Sequence, residues 1–280
     1  RCNILPARLD ESRFVSDAPA HLVRRLVRSW PLREQIGFFE RELGLPLVEE
    51  VESAKLFPAS QRARDVRDRL LDLARRRGAQ LLMNTTVTGF VPDAGRWRID
   101  IHGAPPLHAD ALVVATGGLS VPSTGSDGAG LGMVERLGHV VRPTYPALTP
   151  LIAQPAPYAA LSGISLPVTI TARAEGLSST ATGGFLFTHH GYSGPAVLDV
   201  SHVAVRSRAE AMAPAVITVR WTARGEEDWT ALLKLQGPQG ARNVLTAISG
   251  ELPTRLAEAL IEAAGVDPRV PLAHLGRAGR

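Results

Sequence analysis

The chain has 280 residues, of which 45% are hydrophobic and 21% charged, and its formal net charge is +4 at pH 7. This composition is typical of a folded globular protein of one or two domains and excludes a largely disordered chain. Because Cys2 is the one cysteine of the sequence, an intrachain disulfide is excluded, and we expect a reducing, cytoplasmic location.

The basic residues are almost all arginines, and in the stretch RARDVRDRLLDLARRRG, residues 62–78, they alternate with aspartates. Such interleaving is typical of a solvated protein surface, so we expect no nucleic-acid partner. No run of the sequence approaches the roughly 20 apolar residues that span a bilayer. We therefore expect neither a membrane segment nor a signal peptide.

Three helices are predicted in the first part of the chain. The first begins near Asp17, a candidate N-cap, and its apolar side chains repeat at helical spacing; they are Leu22, Val23, Leu26 and Trp30. The second helix follows Pro31 and ends at Gly44. The third is capped by Ser60 and ends at Gly78.

Strands are predicted next along the chain. Residues 79–93 are rich in β-formers, and residues 95–103 alternate apolar and polar side chains, so we expect these two segments to form strands. The apolar run DALVVATGG, residues 110–118, is typical of a strand covered on both faces of a parallel sheet. A short helix ending at Gly138 follows. This order of helices and strands predicts an α/β layer fold.

The character of the sequence changes near Pro146, where prolines become frequent and charges rare. We place a domain boundary there, between residues 1–146 and residues 147–280. Within the second domain we expect residues 147–223 to be β-rich. Residues 224–280 are expected to be helical, since apolar residues recur there at helical spacing.

The glycines that follow the predicted strand form the first candidate site. Ala115, Thr116, Gly117 and Gly118 lie where the carboxyl ends of parallel strands bind ligands, and glycine lets a flat or phosphorylated ligand approach the backbone. A tight turn without a ligand is the alternative. The glycines of residues 125–132 match neither phosphate-binding fingerprint, which excludes a P-loop ATPase or kinase.

The segment THHGYSGP, residues 188–195, is the second candidate site. Its GYSGP part differs from the nucleophile elbow G-x-S-x-G in the last residue, so a serine hydrolase using Ser193 stays open. A turn into a helix that starts at Pro195 is the alternative. His189 and His190 are adjacent and point in different directions, so we predict no metal site.

Five stretches, in this order, resemble a known bacterial family. They are RCN at residues 1–3, AKLFPASQRARDV at 54–66, ADALVVATGGLSVPSTGSDGAG at 109–130, LGH at 137–139 and FLFTHHGYSGPAVLDVS at 185–201. Their combination is similar to the NAD(P)/FAD-dependent oxidoreductase family of aminoacetone oxidase-like and bile-acid-pathway flavoproteins. The resemblance runs from Arg1 to about Gly265.

The resemblance implies a partial FAD domain of the two-dinucleotide-binding type, with an inserted second domain that is β-rich and then helical. It implies a flavoprotein that transfers hydride to or from a small-molecule substrate, with NAD(P)H as the candidate electron donor. The family's N-terminal G-x-G-x-x-G unit and its C-terminal return to the FAD domain have no counterpart in this sequence. We therefore expect a fragment that binds flavin weakly and is inactive alone.

The resemblance also implies particular site residues. The implied cofactor contacts are Arg1, Cys2, Asn3, Val87 through its backbone, Ala115, Thr116, Gly117 and Gly118. The implied substrate-side contacts are His189, His190, Tyr192, Ser193 and Gly194. The sequence identifies no residue as an essential catalytic acid or base; His190 is the nearest candidate, on its implied position near the flavin edge. Ala129 stands where the family commonly has an acidic residue, which weakens the case for Asp127 as a ligand of a ribose or a metal. A non-catalytic binding module stays open as a third alternative.

Overall fold

The computed structural model describes residues 2–51, 53–234 and 241–275. The chain divides into two compact units, Arg1–Ala111 and Leu112–Arg280. Within the described ranges, no helix combines the length and the apolar character that crossing a bilayer requires.

The helices of the first unit follow the apolar periodicity of the sequence. Helix α1 spans Ala20–Arg28, after a 3-10 turn at Glu11–Arg13. Helix α2 spans Leu32–Gly37 and continues as a π-helical turn over Phe38–Glu42, and α3 spans Ala63–Arg76. A small buried cluster lies among these elements, and its members are Leu43, Leu45 and Val66.

Two antiparallel sheets of three strands each complete the first unit. In the first sheet the order is β1-β3-β2, with β1 at Leu5–Pro6, β2 at Leu47–Glu50 and β3 at Lys55–Pro58. The second sheet is a meander of β4 at Val87–Asp93, β5 at Arg96–Ile101 and β6 at Ala104–Ala109.

The second unit is built on one five-stranded antiparallel sheet with the order β11-β8-β9-β10-β7. Its strands are β7 at Leu151–Ile152, β8 at Ser165–Ala174, β9 at Leu177–Thr188, β10 at Gly191–Ser193 and β11 at Val216–Arg220. Its helices are α4 at Ala129–Arg136, α5 at Pro195–Ala209, α6 at Glu226–Leu233, α7 at Val244–Ile248 and α8 at Thr254–Ala263. Short 3-10 helices lie at Pro122–Thr124, Ala159–Leu161 and Leu272–His274.

The main core lies between this sheet and α5. Alternate residues of β8 are buried, each at most 3% exposed; they are Val168, Ile170 and Ala172. Between them, Thr169 and Thr171 form 3.0 Å side-chain hydrogen bonds with threonines of β9. The buried side chains pack with Phe185 and Phe187 of β9 and with valines of α5. This alternation is the pattern of a sheet that is covered on one face.

The helices lie near their predicted positions, but their caps differ from the prediction. The N-cap of α1 is Pro19 rather than Asp17, and α3 begins after Arg62 rather than at Ser60. The Ser60 hydroxyl accepts a hydrogen bond of 3.4 Å from the backbone N–H of Arg62, so it orders the turn before the helix. The strand pair β4–β5 is confirmed, although β4 begins only at Val87.

The predicted strand DALVVATGG is wrong, because residues 111–118 form no strand. Val113 is 86% exposed and Val114 is 38% exposed. No strand of the described residues pairs with this stretch, and the strand pairs that are described are all antiparallel. An apolar run becomes a strand only where a neighbour satisfies its backbone groups. The mixed α/β class itself is confirmed.

Candidate functional site

The first candidate segment, Ala115–Gly118, lies in irregular backbone near the start of the second unit. Ala115, Thr116 and Gly117 are exposed and Gly118 is half-buried. The segment folds back on the start of α4, where the N–H of Gly128 donates to the carbonyl of Gly118 at 3.1 Å. These contacts hold the exposed backbone in one position.

Helix α4 approaches the first segment closely because Gly130 has no side chain. A Cβ at Gly130 would overlap the side chain of Thr116, so glycine permits the contact. The Asp127 carboxylate accepts a 3.0 Å hydrogen bond from the N–H of Ala129 and thereby caps the turn into α4. This role agrees with the weakened case for Asp127 as a ligand.

The second candidate segment includes the tip of the β9–β10 hairpin. His189 and His190 are the two turn residues between these strands, and both are exposed. The carbonyl of His190 accepts a 3.0 Å hydrogen bond from the N–H of Ala153, which ties the turn to the chain after β7. Within the described ranges, no cluster of three or more His, Cys, Asp or Glu side chains could hold a metal ion.

Tyr192 is half-buried and belongs to the aromatic part of the core. Its ring centroid lies 5.4 Å from that of Phe185 and 5.9 Å from that of Phe187. Burial first, and then the neighbouring phenol of Tyr158, raise the pKa of Tyr192 above its ordinary value. The ring also lines a cavity of about 490 Å³ that Arg208 borders. The structure therefore separates Tyr192, in the core, from the exposed histidines of the turn.

The GYSGP motif is explained by packing. Gly194 is the N-cap of α5 and Pro195 is its first residue, which confirms the predicted helix start. Gly194 has φ +100°, and a Cβ there would lie 2.5 Å from the carbonyl oxygen of Gly184. Within the described part of the chain, no hydrogen bond joins Ser193 to a histidine or a carboxylate. The motif thus forms the start of a helix.

The remaining predicted site residues belong to the first unit. Arg1 lies outside the described residues. Cys2 is half-buried and packs against the cluster of Leu43, Leu45 and Val66, whereas Asn3 is exposed. Val87 is the first residue of β4, opposite Ile101, and is 38% exposed.

Two further features escaped the sequence-based prediction. A cavity of about 740 Å³ lies among β11, α6, α7 and α8, and Trp221 and Trp229 are among its lining residues. The two tryptophans belong to no recognisable sequence motif, so the sequence did not indicate this cavity. The second feature is the exposed, arginine-rich face of α1. Its signal was present, since the sequence holds no Asp or Glu from residue 18 to residue 33.

The comparisons with known proteins agree on a family. The family model described as HI0933-like protein Rossmann domain matches residues 1–266. A 3-dehydro-bile acid delta(4,6)-reductase of Clostridium scindens is 27% identical over 206 residues, which make up 73% of this chain and 49% of the relative. Two ribosomal RNA dihydrouridine synthases are also similar. That of Escherichia coli is 28% identical over 211 residues, 72% of this chain and 49% of the relative, and that of Haemophilus influenzae is 29% identical over 214 residues, 72% and 50%. The chain spans about half the length of these curated relatives.

Proposed function

The chain belongs to the family described as HI0933-like protein Rossmann domain, and from this premise we propose that it is part of an FAD-dependent oxidoreductase. The five stretches of family resemblance support this class, and so does the relative that is named as a reductase. We propose that residues 1–146 belong to the FAD-binding domain and residues 147–280 to the inserted domain. A cytoplasmic location remains our expectation from the cysteine content.

One observation carries the cofactor assignment, namely the small, exposed backbone of Ala115–Gly118. None of these four side chains is larger than that of threonine, and no atom lies within 4 Å of the position that a Cβ would take on Gly118. A flat ligand or a pyrophosphate therefore has room to approach the main chain. The hydrogen bond from Gly128 to Gly118 and the close approach of Gly130 to Thr116 link this backbone to α4, and such support favours a binding site.

The open backbone of this segment leaves room for FAD, and the resemblance supplies the other proposed contacts. They are Arg1, Cys2, Asn3 and the backbone of Val87, which would meet the adenine. When bound, FAD supplies the ring that carries hydride, while the protein positions the reactants and excludes water.

The turn of the β9–β10 hairpin is the proposed substrate side. His189 and His190 present exposed imidazoles from a fixed turn, because His190 is held through its carbonyl. His190 is the proposed acid or base, because an imidazole nitrogen can exchange a proton with a bound substrate. We propose that Ser193 and Gly194 shape this side of the site through the backbone.

The proposal is tested with the reading frame that encodes this chain, expressed at its natural length. We expect visible flavin absorbance in the purified protein and loss of that absorbance in Gly118→Val. A Cβ at Gly118 would meet no atom within 4 Å outside the adjacent residues, so we expect the fold to tolerate valine there while its methyl groups block the ligand's approach. Ser120→Val, two residues further along an exposed stretch, is the matched control and should keep its flavin.

A colourless protein that binds no added FAD would contradict the cofactor assignment. The electron donor is tested separately, by following the bleaching of the flavin under anaerobic conditions with NADH and with NADPH. His190→Gln should slow substrate turnover while leaving flavin binding unchanged, because the imidazole is proposed to act on the substrate side.

A second candidate substrate is a nucleobase in RNA. The exposed arginines of α1 favour this candidate, and two relatives are named as ribosomal RNA dihydrouridine synthases. In this case the same proposed hydride chemistry would act on a pyrimidine rather than on a free small molecule. Nucleoside mass spectrometry of RNA incubated with the protein and NADPH would detect dihydrouridine.

A further inference from the structure

Helix α1 has a polar half that is entirely basic. His21, Arg24, Arg25 and Arg28 lie side by side on this half of the helical wheel, and all four are exposed. No residue of α1 is acidic. We call these four residues the α1 basic face.

One carboxylate, that of Glu11, forms ion pairs with two arginines of the α1 basic face. Glu11 accepts a hydrogen bond from Arg28 Nε at 2.6 Å and lies 3.5 Å from Arg24 Nε. The two arginine side chains keep 53% and 67% of their surface exposed. Arg25 has no ion-pair partner among the described residues. The face therefore keeps positive charge that its own neighbours do not neutralise.

Exposed aromatic side chains lie in the segments before and after α1, and the first of them, Phe14, lines a cavity with Arg24. Trp30, just past the end of α1, is 44% exposed although its ring meets that of Phe38 edge to face at 5.6 Å. Phe14, in the segment before α1, is 48% exposed. Cationic side chains with exposed aromatic rings beside them are the combination that binds single-stranded nucleic acid, since cations meet phosphates and rings stack on bases.

Helix α3 shows that this arrangement is not a general feature of the chain's arginines. Its arginines alternate with three aspartates, and two pairs are formed, between Arg67 and Asp68 at 2.6 Å and between Arg75 and Asp72 at 3.7 Å. Aspartates are therefore interleaved with the arginines of α3, whereas α1 itself carries no acidic residue.

We propose that the α1 basic face, together with Phe14, which lines a cavity with Arg24, binds single-stranded RNA. The geometry favours RNA over a lipid surface because Val23 and Val27, on the apolar half of α1, are half-buried and line a cavity with Glu11 and Phe14 rather than facing outward. Of the larger side chains on that half, Leu22 and Leu26 are left exposed, whereas a helix lying in a membrane interface needs its whole apolar face. The choice of RNA over DNA rests on the second candidate of the proposed function, but binding itself requires no flavin.

The test measures binding of the 280-residue chain to a fluorescein-labelled 16-mer of oligouridylate by anisotropy at several salt concentrations. Changing Arg24, Arg25 and Arg28 together to Gln should weaken binding about tenfold or more. The slope of log affinity against log salt should become shallower by about 2, since each lost phosphate contact on a single strand contributes about 0.7. The control changes Arg64, Arg67 and Arg75 of α3 to Gln, which removes the same charge and should alter affinity by about twofold at most.

A third variant covers the case in which the α1 substitutions disturb folding. Glu11→Gln keeps every arginine and removes the carboxylate that neutralises two of them, so RNA binding should tighten by about twofold or more. Equal losses in the α1 and α3 variants, or no binding by the parent chain, would overturn the proposal. Preference for phosphatidylglycerol vesicles over the oligouridylate, or tighter binding of the matching DNA 16-mer, would also overturn it. Failure of the flavin assignment would show in the visible spectrum and leave these results unchanged.

Discussion

Two apolar stretches of the second unit differ in how far their side chains are exposed. In β8, Val168 and Ile170 are 3% and 0% exposed. In the stretch before the glycines, Val113 is 86% exposed. Strand β8 lies between β9 and β11 and under α5, whereas residues 111–118 have no strand partner in the described part of the chain. Both stretches are apolar in sequence. Their different exposure therefore arises from the strands and the helix that pack against β8 and are not found beside residues 111–118 among the residues that the structure describes.

This comparison bears on function as well as on folding. The exposed apolar side chains of residues 111–114 and their backbone groups, with which no described strand pairs, can contact a ligand or another protein segment. Ala115–Gly118 follows them directly in the chain. The apolar side chains of β8, by contrast, are buried in the core of the second unit. Proteins often place ligand contacts on loops that a rigid scaffold positions, and here α4 and its loop supply the scaffold.

The largest expected effect on stability comes from a substitution in the buried core. Phe187 is 1% exposed and its ring stacks on that of Trp221 at 5.6 Å between centroids. Phe187→Ala should therefore lower the free energy of unfolding by about 3–5 kcal/mol, through lost burial and the cavity left behind. Val113→Ala should change it by no more than about 0.5 kcal/mol.

Urea unfolding followed by tryptophan fluorescence measures both variants, and Trp221 reports directly on the affected cluster. A large loss in Val113→Ala would mean that residues 111–118 are covered in solution. In that case the contrast between the two stretches would not hold.

A smaller effect, on dye binding, is expected from substitutions of exposed valines. Val113 and Val140 are 86% and 90% exposed, and open apolar surface binds hydrophobic dyes and promotes association. We expect the chain alone to enhance the fluorescence of anilinonaphthalene sulfonate. Changing both valines to Ser should reduce that enhancement, while the matched change of exposed Thr124 to Ser should not. Equal dye binding by all three proteins would place the open surface elsewhere.

The fold was predictable where local sequence and tertiary context agree. Helix α3, the pair β4–β5 and the start of α5 at Pro195 all follow from periodicity and from turn residues. The strand predicted at residues 110–118 failed because pairing is a property of neighbours, which an apolar run does not encode. Strand β6 was missed because its two prolines argue against a strand.

The candidate site was predictable only as segments. The sequence indicated residues 115–118 and the THHGYSGP segment as candidate sites, but it did not show that Tyr192 enters the aromatic core while His190 stays exposed. That division depends on β10 pairing with both β9 and β7. The α1 basic face was overlooked for another reason. The charge pattern of α3 was taken to represent the whole chain, although no acidic residue lies between residues 18 and 33.

The smallest expected effect is a pH dependence within the closed core. Burial, and then Tyr158, raise the pKa of Tyr192 above its ordinary value of 10.0. The folded protein therefore keeps the neutral phenol at a pH where the unfolded chain has begun to lose the proton. The contribution of Tyr192 to stability is complete below pH 10.0 and is lost as the pH rises above that value, through the raised pKa of the folded state.

Tyr192→Phe removes the titrating group, so its unfolding midpoint in urea should fall less steeply than that of the parent as the pH rises past 10.0. Tyr145→Phe is the control, because the Tyr145 ring lies under Arg206 at 5.8 Å and outside the ring cluster of β9 and β10. Parallel curves for the parent and Tyr192→Phe would mean that the phenol of Tyr192 reaches solvent. In that case the β9–β10 hairpin, which carries His190, would expose Tyr192 to solvent more than its ring contacts with Phe185 and Phe187 indicate.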